Sequence, residues 1–146
     1  MAVQTTYNEL PAVGFAGQLA DTTHATILSR MMEVDVAYGL AVANGSADRT
    51  GAVVTADTDT FAGVAQYTNA QDARYGDVYK SGTMGNVITK GPVWVEVTAA
   101  VAGGEPAYVD VATGKFTNVS GGNLAVPNGE FEISAALGGV ALLRIK

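Results

Sequence analysis

No long segment of this chain carries a helical period. It is written instead in short apolar runs, each cut off by glycine, proline, asparagine or aspartate. That punctuation confines the fold to short strands joined by turns. Val93 to Val97, VWVEV, shows the rule most clearly: Val93, Val95 and Val97 share one face, and Trp94 and Glu96 take the other. From Glu33 onward RMMEVDVAY alternates in the same way, so Met32, Val34, Val36 and Tyr38 are expected on one strand face, with Asp35 opposite. Phe61 to Tyr67 reads as a strand with a bulge at Gly63. Ala107 to Val111 and Lys115 to Val119 read as a hairpin around Thr113–Gly114. SGGN and PNG read as loops, Gly91–Pro92 as a break, and Ala99 to Gly104 as a short helical turn. Roughly eight to ten strands result. The expected fold is all-β: a compact antiparallel barrel or sandwich, with residues 21–146 as one domain.

Composition matters for what such a body is for. The chain is 48% hydrophobic and only 15% charged, so part of its surface is expected to be covered by something else. The net charge is −6. Glu9, Asp21, Glu33, Asp35, Asp48, Asp57, Asp59 and Asp72 lie in the first half, opposed there only by Arg30 and Arg49. No basic stripe exists for nucleic acid. There is no cysteine, which removes disulfides and thiol chemistry. The opening MAVQTTYNEL lacks the pattern of a secretory signal, and Ala135 to Leu143 is too short to span a bilayer, so no membrane role is expected.

The segment NELPAVGFAGQLAD, Asn8 to Asp21, fits neither helix nor strand well. Pro11, Gly14 and Gly17 interrupt Leu10, Val13, Phe15 and Leu19. Two readings stay open. The segment packs on its own domain, or residues 1–20 form an extended arm completed by another chain. Exposed in isolation, its apolar side chains would promote aggregation. In the arm reading Tyr7, Leu10, Pro11, Val13, Phe15 and Leu19 form the interface with the partner.

Catalytic and ligand patterns are thin. His24, the one histidine, sits in the polar stretch DTTH, where a solvated histidine is the commoner role. Asp57 and Asp59 resemble the start of a calcium loop but lack the downstream glycine and glutamate spacing. Glu130 and Glu132 flank Phe131 and point the same way, which suits a carboxylate pair or, more commonly, a solvent-facing sheet edge. Neither a phosphate loop nor a nucleophile elbow is present. Trp94, Tyr79 and Tyr108 could line a carbohydrate- or host-binding face, although core packing is the more frequent use. No enzyme, metal or cofactor is expected.

The stretches PAVGFAGQLAD, GDVYKSGTMGNVITKGPVWVEVTAAVAGGEPAYVD and PNGEFEISAALGGVALLRI together resemble the structural cement proteins of tailed bacteriophage heads. The shared steps are Pro11 before Gly17 to Asp21, the Lys90–Gly91 step before Trp94, Gly104 to Val109, and the closing Gly-Gly strand within Ala135 to Ile145. The resemblance implies a decoration protein made in the host cytoplasm and carried on the outer surface of the virion. It would bind the major capsid protein and lock neighbouring subunits together, as a homotrimer at local threefold positions, with no cofactor.

Overall fold

The computed structural model describes residues 14–22, 24–68 and 76–146. Among them are eleven strands and no helix: β1 (Thr26–Met32), β2 (Val36–Ala37), β3 (Ala41–Asn44), β4 (Thr50–Val53), β5 (Phe61–Ala65), β6 (Val78–Tyr79), β7 (Met84–Glu96), β8 (Pro106–Val109), β9 (Phe116–Thr117), β10 (Leu124–Phe131) and β11 (Val140–Ile145). Five of them close a barrel in the order β1-β4-β3-β5-β7 and back to β1. Closure removes most free sheet edges, which so apolar a chain needs. The seam between β1 and β4 is parallel and only two residue pairs long, Met31 with Thr50 and Met32 with Gly51. The other strand pairs are antiparallel.

β7 belongs to two sheets. Its first half pairs with β1 and β5, and its second half pairs with β11. The second sheet runs β7-β11-β10-β8-β9 and curls until Phe116 of β9 bridges Val97. Gly91 sits where β7 changes sheets, at φ +116°, and a Cβ there would lie 3.1 Å from Ala25 Cα. The alternation of VWVEV holds: Val93, Val95 and Val97 are buried, and Trp94 and Glu96 are half-buried. They join Phe116, Phe131, Leu143 and Ile88 in the larger core, while Met32, Val36, Val42 and Tyr79 centre a second one.

Several sequence expectations change here. Glu33 to Asp35 is a bend rather than strand, so Val34 is exposed while Met32, Val36 and Tyr38 are buried. Ala99 to Gly104 forms no helical turn; Val101 instead bridges Ala135. Gly91–Pro92 lies inside β7, and PNG lies inside β10, where the register against β8 shifts between Ala125 and Glu130. The bulge expected at Gly63 is present as a register shift opposite Val42 and Ala43.

The acids do structural work at loop bases. Glu33 accepts from Thr50 Oγ1 (2.7 Å), Ser46 Oγ (2.8 Å) and Ser46 N (2.7 Å). Asp35 accepts from Ser81 N (2.9 Å) and Lys80 Nζ (3.0 Å). Asp59 caps Thr55 N and Ala56 N, and Glu105 takes Ala102 N and Asn118 Nδ2. These bonds hold all four carboxyls below their ordinary values: chiefly the Thr50 hydroxyl for Glu33, and backbone N–H groups for the others. A depressed folded-state pKa gives stability that is present above the unfolded value and lost as pH falls through the folded one. Melting temperature is therefore expected to stay flat from neutral pH to about 5 and to drop below about 4. Glu33→Gln should flatten that acid limb in thermal melts; an unchanged limb would assign the loss to other groups.

Candidate functional site

The segment Gly14–Ala20 lies along the second half of β7. Gly17 N donates to Trp94 O (2.7 Å), Trp94 N to Gln18 O (2.9 Å) and Ala20 N to Pro92 O (3.0 Å), and Leu19 bridges Val93. On its other side Tyr67 N donates to Gly17 O (2.8 Å). These are backbone bonds, so they hold the path of the chain whatever side chains it carries. Gly14 sits on the indole edge of Trp94, where a Cβ would come within 2.4 Å of Cδ1.

Of the interface residues expected from sequence, Tyr7, Leu10, Pro11 and Val13 lie outside the described residues. Leu19 packs half-buried against the larger core. Phe15 is 69% exposed and stacks on Tyr67 at 5.8 Å. The stack continues inward, Tyr67 edge-on to Tyr38 (5.4 Å) and Tyr38 edge-on to Tyr79 (5.0 Å). Phe15 is thus the outer end of an aromatic column rooted in the second core. Burial, then the neighbouring Tyr79 and Asp77, push the Tyr38 hydroxyl up to about 12. Tyr79 donates to Gln66 O (2.7 Å), and burial raises its hydroxyl too. Both phenols stay neutral and act as packing.

The remaining candidates are not brought together. His24 is exposed at φ 56°, Asp59 caps its own loop, and Asp57 is exposed. Glu130 and Glu132 do share a face, but each is paired: Glu130 with Lys146 at 3.0 Å and Glu132 with Arg144 at 2.8 Å. Tyr79 is a core residue and Gly14 lies against the Trp94 indole edge, so Trp94, Tyr79 and Tyr108 present no common aromatic face. Sequence reasoning also passed over Ile27, Leu28, Met31 and Met84, all exposed on β1 and β7. For the three on β1 the signal was TILSRMM, whose apolar residues come in pairs and do not alternate with polar ones. What these described residues present is packing and exposed apolar contact.

A family model described as structural cement protein (E217 gp24/Pam3 gp6) matches residues 3–146. A chain from the capsid of Myoviridae phage XM1 is 23% identical at a TM-score of 0.78, covering 100% of this chain and 98% of that one. The N base of head fiber gp8.5 of bacteriophage phi29 is 12% identical at a TM-score of 0.55, covering 84% and 94%. No curated protein matches. At those identities the two solved structures speak for the fold.

Proposed function

The chain belongs to the structural cement protein family, and from that premise we propose that it binds the exterior of an assembled phage head and locks neighbouring major capsid protein subunits together. Its role is structural and capsid-associated, and its place is the virion. The observation that carries the finer reading is the family match over residues 3–146, which takes in the barrel, the second sheet and most of the N-terminal segment. A closed, rigid β body with exposed apolar side chains and few charges suits a protein that is finished by its neighbours.

In this reading the protein sits as a homotrimer at local threefold positions. Tyr7, Leu10, Pro11 and Val13 reach a neighbouring copy or the shell, and Phe15 and Leu19 fix where that arm leaves the body. Burying one large apolar side chain contributes roughly 1.5–3 kcal/mol, from which the cost of ordering the arm is subtracted. Three such contacts on one trimer give avidity when the capsid geometry lets all engage. A ligand that binds only the assembled shell then opposes its disassembly by mass action.

Cosedimentation with undecorated, expanded capsids tests this, using the full chain and a chain lacking residues 1–13. The described hydrogen bonds of the segment begin at Phe15, so this deletion spares them. The full chain is expected to saturate the capsids, and the deletion to lower apparent affinity at least tenfold. Full occupancy by the deletion would end the arm proposal; no binding by the full chain would end the exterior-binding proposal. Light scattering on both gives the oligomer number.

A further inference from the structure

Among the described residues, β1 has an open edge. Its residues Thr26 to Met31 pair with β7 on one side, but on the other side β4 reaches only Met31 and Met32. Met31 N donates to Arg49 O on the β4 side. Strand alternation therefore turns the N–H and C=O groups of Ser29 and Ile27 to that same side, where nothing among the described residues pairs with them. Thr26 to Ser29 are all exposed. An accessible strand edge bearing Ile27 and Leu28 is a template for another strand.

The same edge gathers positive charge in an acidic protein. A groove of about 90 Å3 beside it is lined by Leu28, Ser29, Arg30 and Arg49. Arg30 Nη1 donates to Thr50 O (3.2 Å), while its enclosed Nε has no partner among the described residues. At the other end of β1 a groove of about 400 Å3 is lined by His24, Lys90, Arg144 and Lys146, with Asp21 its one acid. Arg144 and Lys146 there are already paired with Glu132 and Glu130, so the charges that count along β1 are Arg30 and Arg49 at one end and Lys90 at the other.

Resting on the cement reading above, we infer that the open edge of β1 receives an extended, carboxylate-bearing segment of the capsid protein as an added strand. Ser29 and Ile27 supply its backbone hydrogen bonds, and Ile27 and Leu28 its apolar contact. Arg30 and Arg49 at one end, and Lys90 at the other, meet its acids. The charges also argue against a second copy's β1 as the occupant. Antiparallel pairing of two such edges sets Arg30 of each near the Lys90 end of the other, and parallel pairing sets arginine against arginine.

Ser29→Pro tests the edge. It removes an N–H that points away from β7, and proline is tolerated on strand edges. The expected result is at least a tenfold loss of affinity for undecorated capsids, with unchanged solution mass and melting temperature. Arg49→Asn, which keeps a residue suited to the φ of 61° there, should weaken binding and reduce its salt dependence. Hydrogen exchange of the wild-type chain decides the matter even if Ser29→Pro fails to fold. The segment holding Ile27 and Ser29 should exchange fast in the free protein and slowly on capsids. Fast exchange on saturated capsids, or wild-type affinity in a folded Ser29→Pro, overturns the inference while leaving capsid binding intact. Protection in the free protein that rises with concentration would name a second copy as the occupant and overturn it too. Failure of the wild-type chain to bind capsids removes the premise and the inference together.

Discussion

Phe131→Ala is expected to cost about 3–5 kcal/mol of stability, the usual range for an aromatic ring deleted from a packed core. Typical domains of this size hold about 5–15 kcal/mol in total, so the variant should sit near the edge of folding at 37 °C. The reason lies in where the ring is held. Phe131 is fully buried at the end of β10, opposite Leu143 of β11. Its backbone is fixed from the other side as well: its N–H donates to Glu105 O (2.9 Å), and its carbonyl accepts from Gly104 N (2.6 Å). With the chain pinned on both flanks, the site cannot collapse around a missing ring, and the cavity term stays large. Urea denaturation of both chains measures the difference. A loss under about 1 kcal/mol would mean that the second sheet relaxes freely, contrary to the continuous core through Phe116, Val93 and Val95.

The alternation that reveals a strand in sequence depends on one face being buried and the other wet. Val93, Val95 and Val97 met that condition and were legible; Thr26 to Ser29 did not, because β1 is exposed on both faces there. Pro92 was misleading for a more specific reason. Pro92 O and both Trp94 backbone groups face the Gly14–Ala20 segment, so the N–H that proline lacks falls on that ragged side. The ladder to β11 runs through Gly91, Val93 and Val95 and loses nothing. The position of Gly14–Ala20 was equally hidden, since backbone hydrogen bonds hold it and no side-chain pattern records them. Phe15 and Leu19, the described members of the expected interface, have opposite environments, one outward on Tyr67 and one inward on the core. Periodicity had no means of separating them, because Pro11, Gly14 and Gly17 around them erase the period.

Gly17→Val should detach that segment from the body, at a cost of roughly 2–4 kcal/mol from positive-φ strain and lost backbone bonds. Gly17 has φ +86°, and a Cβ there would lie 2.6 Å from Ala65 O, 2.7 Å from Gly39 N and 2.9 Å from Tyr67 N. All three are backbone atoms of the barrel side, so no rotamer change relieves the clash. Gly39 faces it at φ +81°, with its own Cβ position 2.6 Å from Ala16 Cβ. Two glycines thus let the two segments touch backbone to backbone. The eleven strands do not include this segment, so the barrel should persist when it lifts away. Trp94, the one tryptophan, reports the event directly, because Gly14 lies against its indole. Its emission should shift to the red, and amides of residues 17 to 20 should lose exchange protection, while β3, β5 and β11 keep theirs. If Phe15 and Leu19 fix the exit of an arm that carries the proposed contact with a neighbour, capsid occupancy should fall with the same variant. Detachment with full occupancy would place the proposed contact on the body instead, where the open edge of β1 is the surface inferred above.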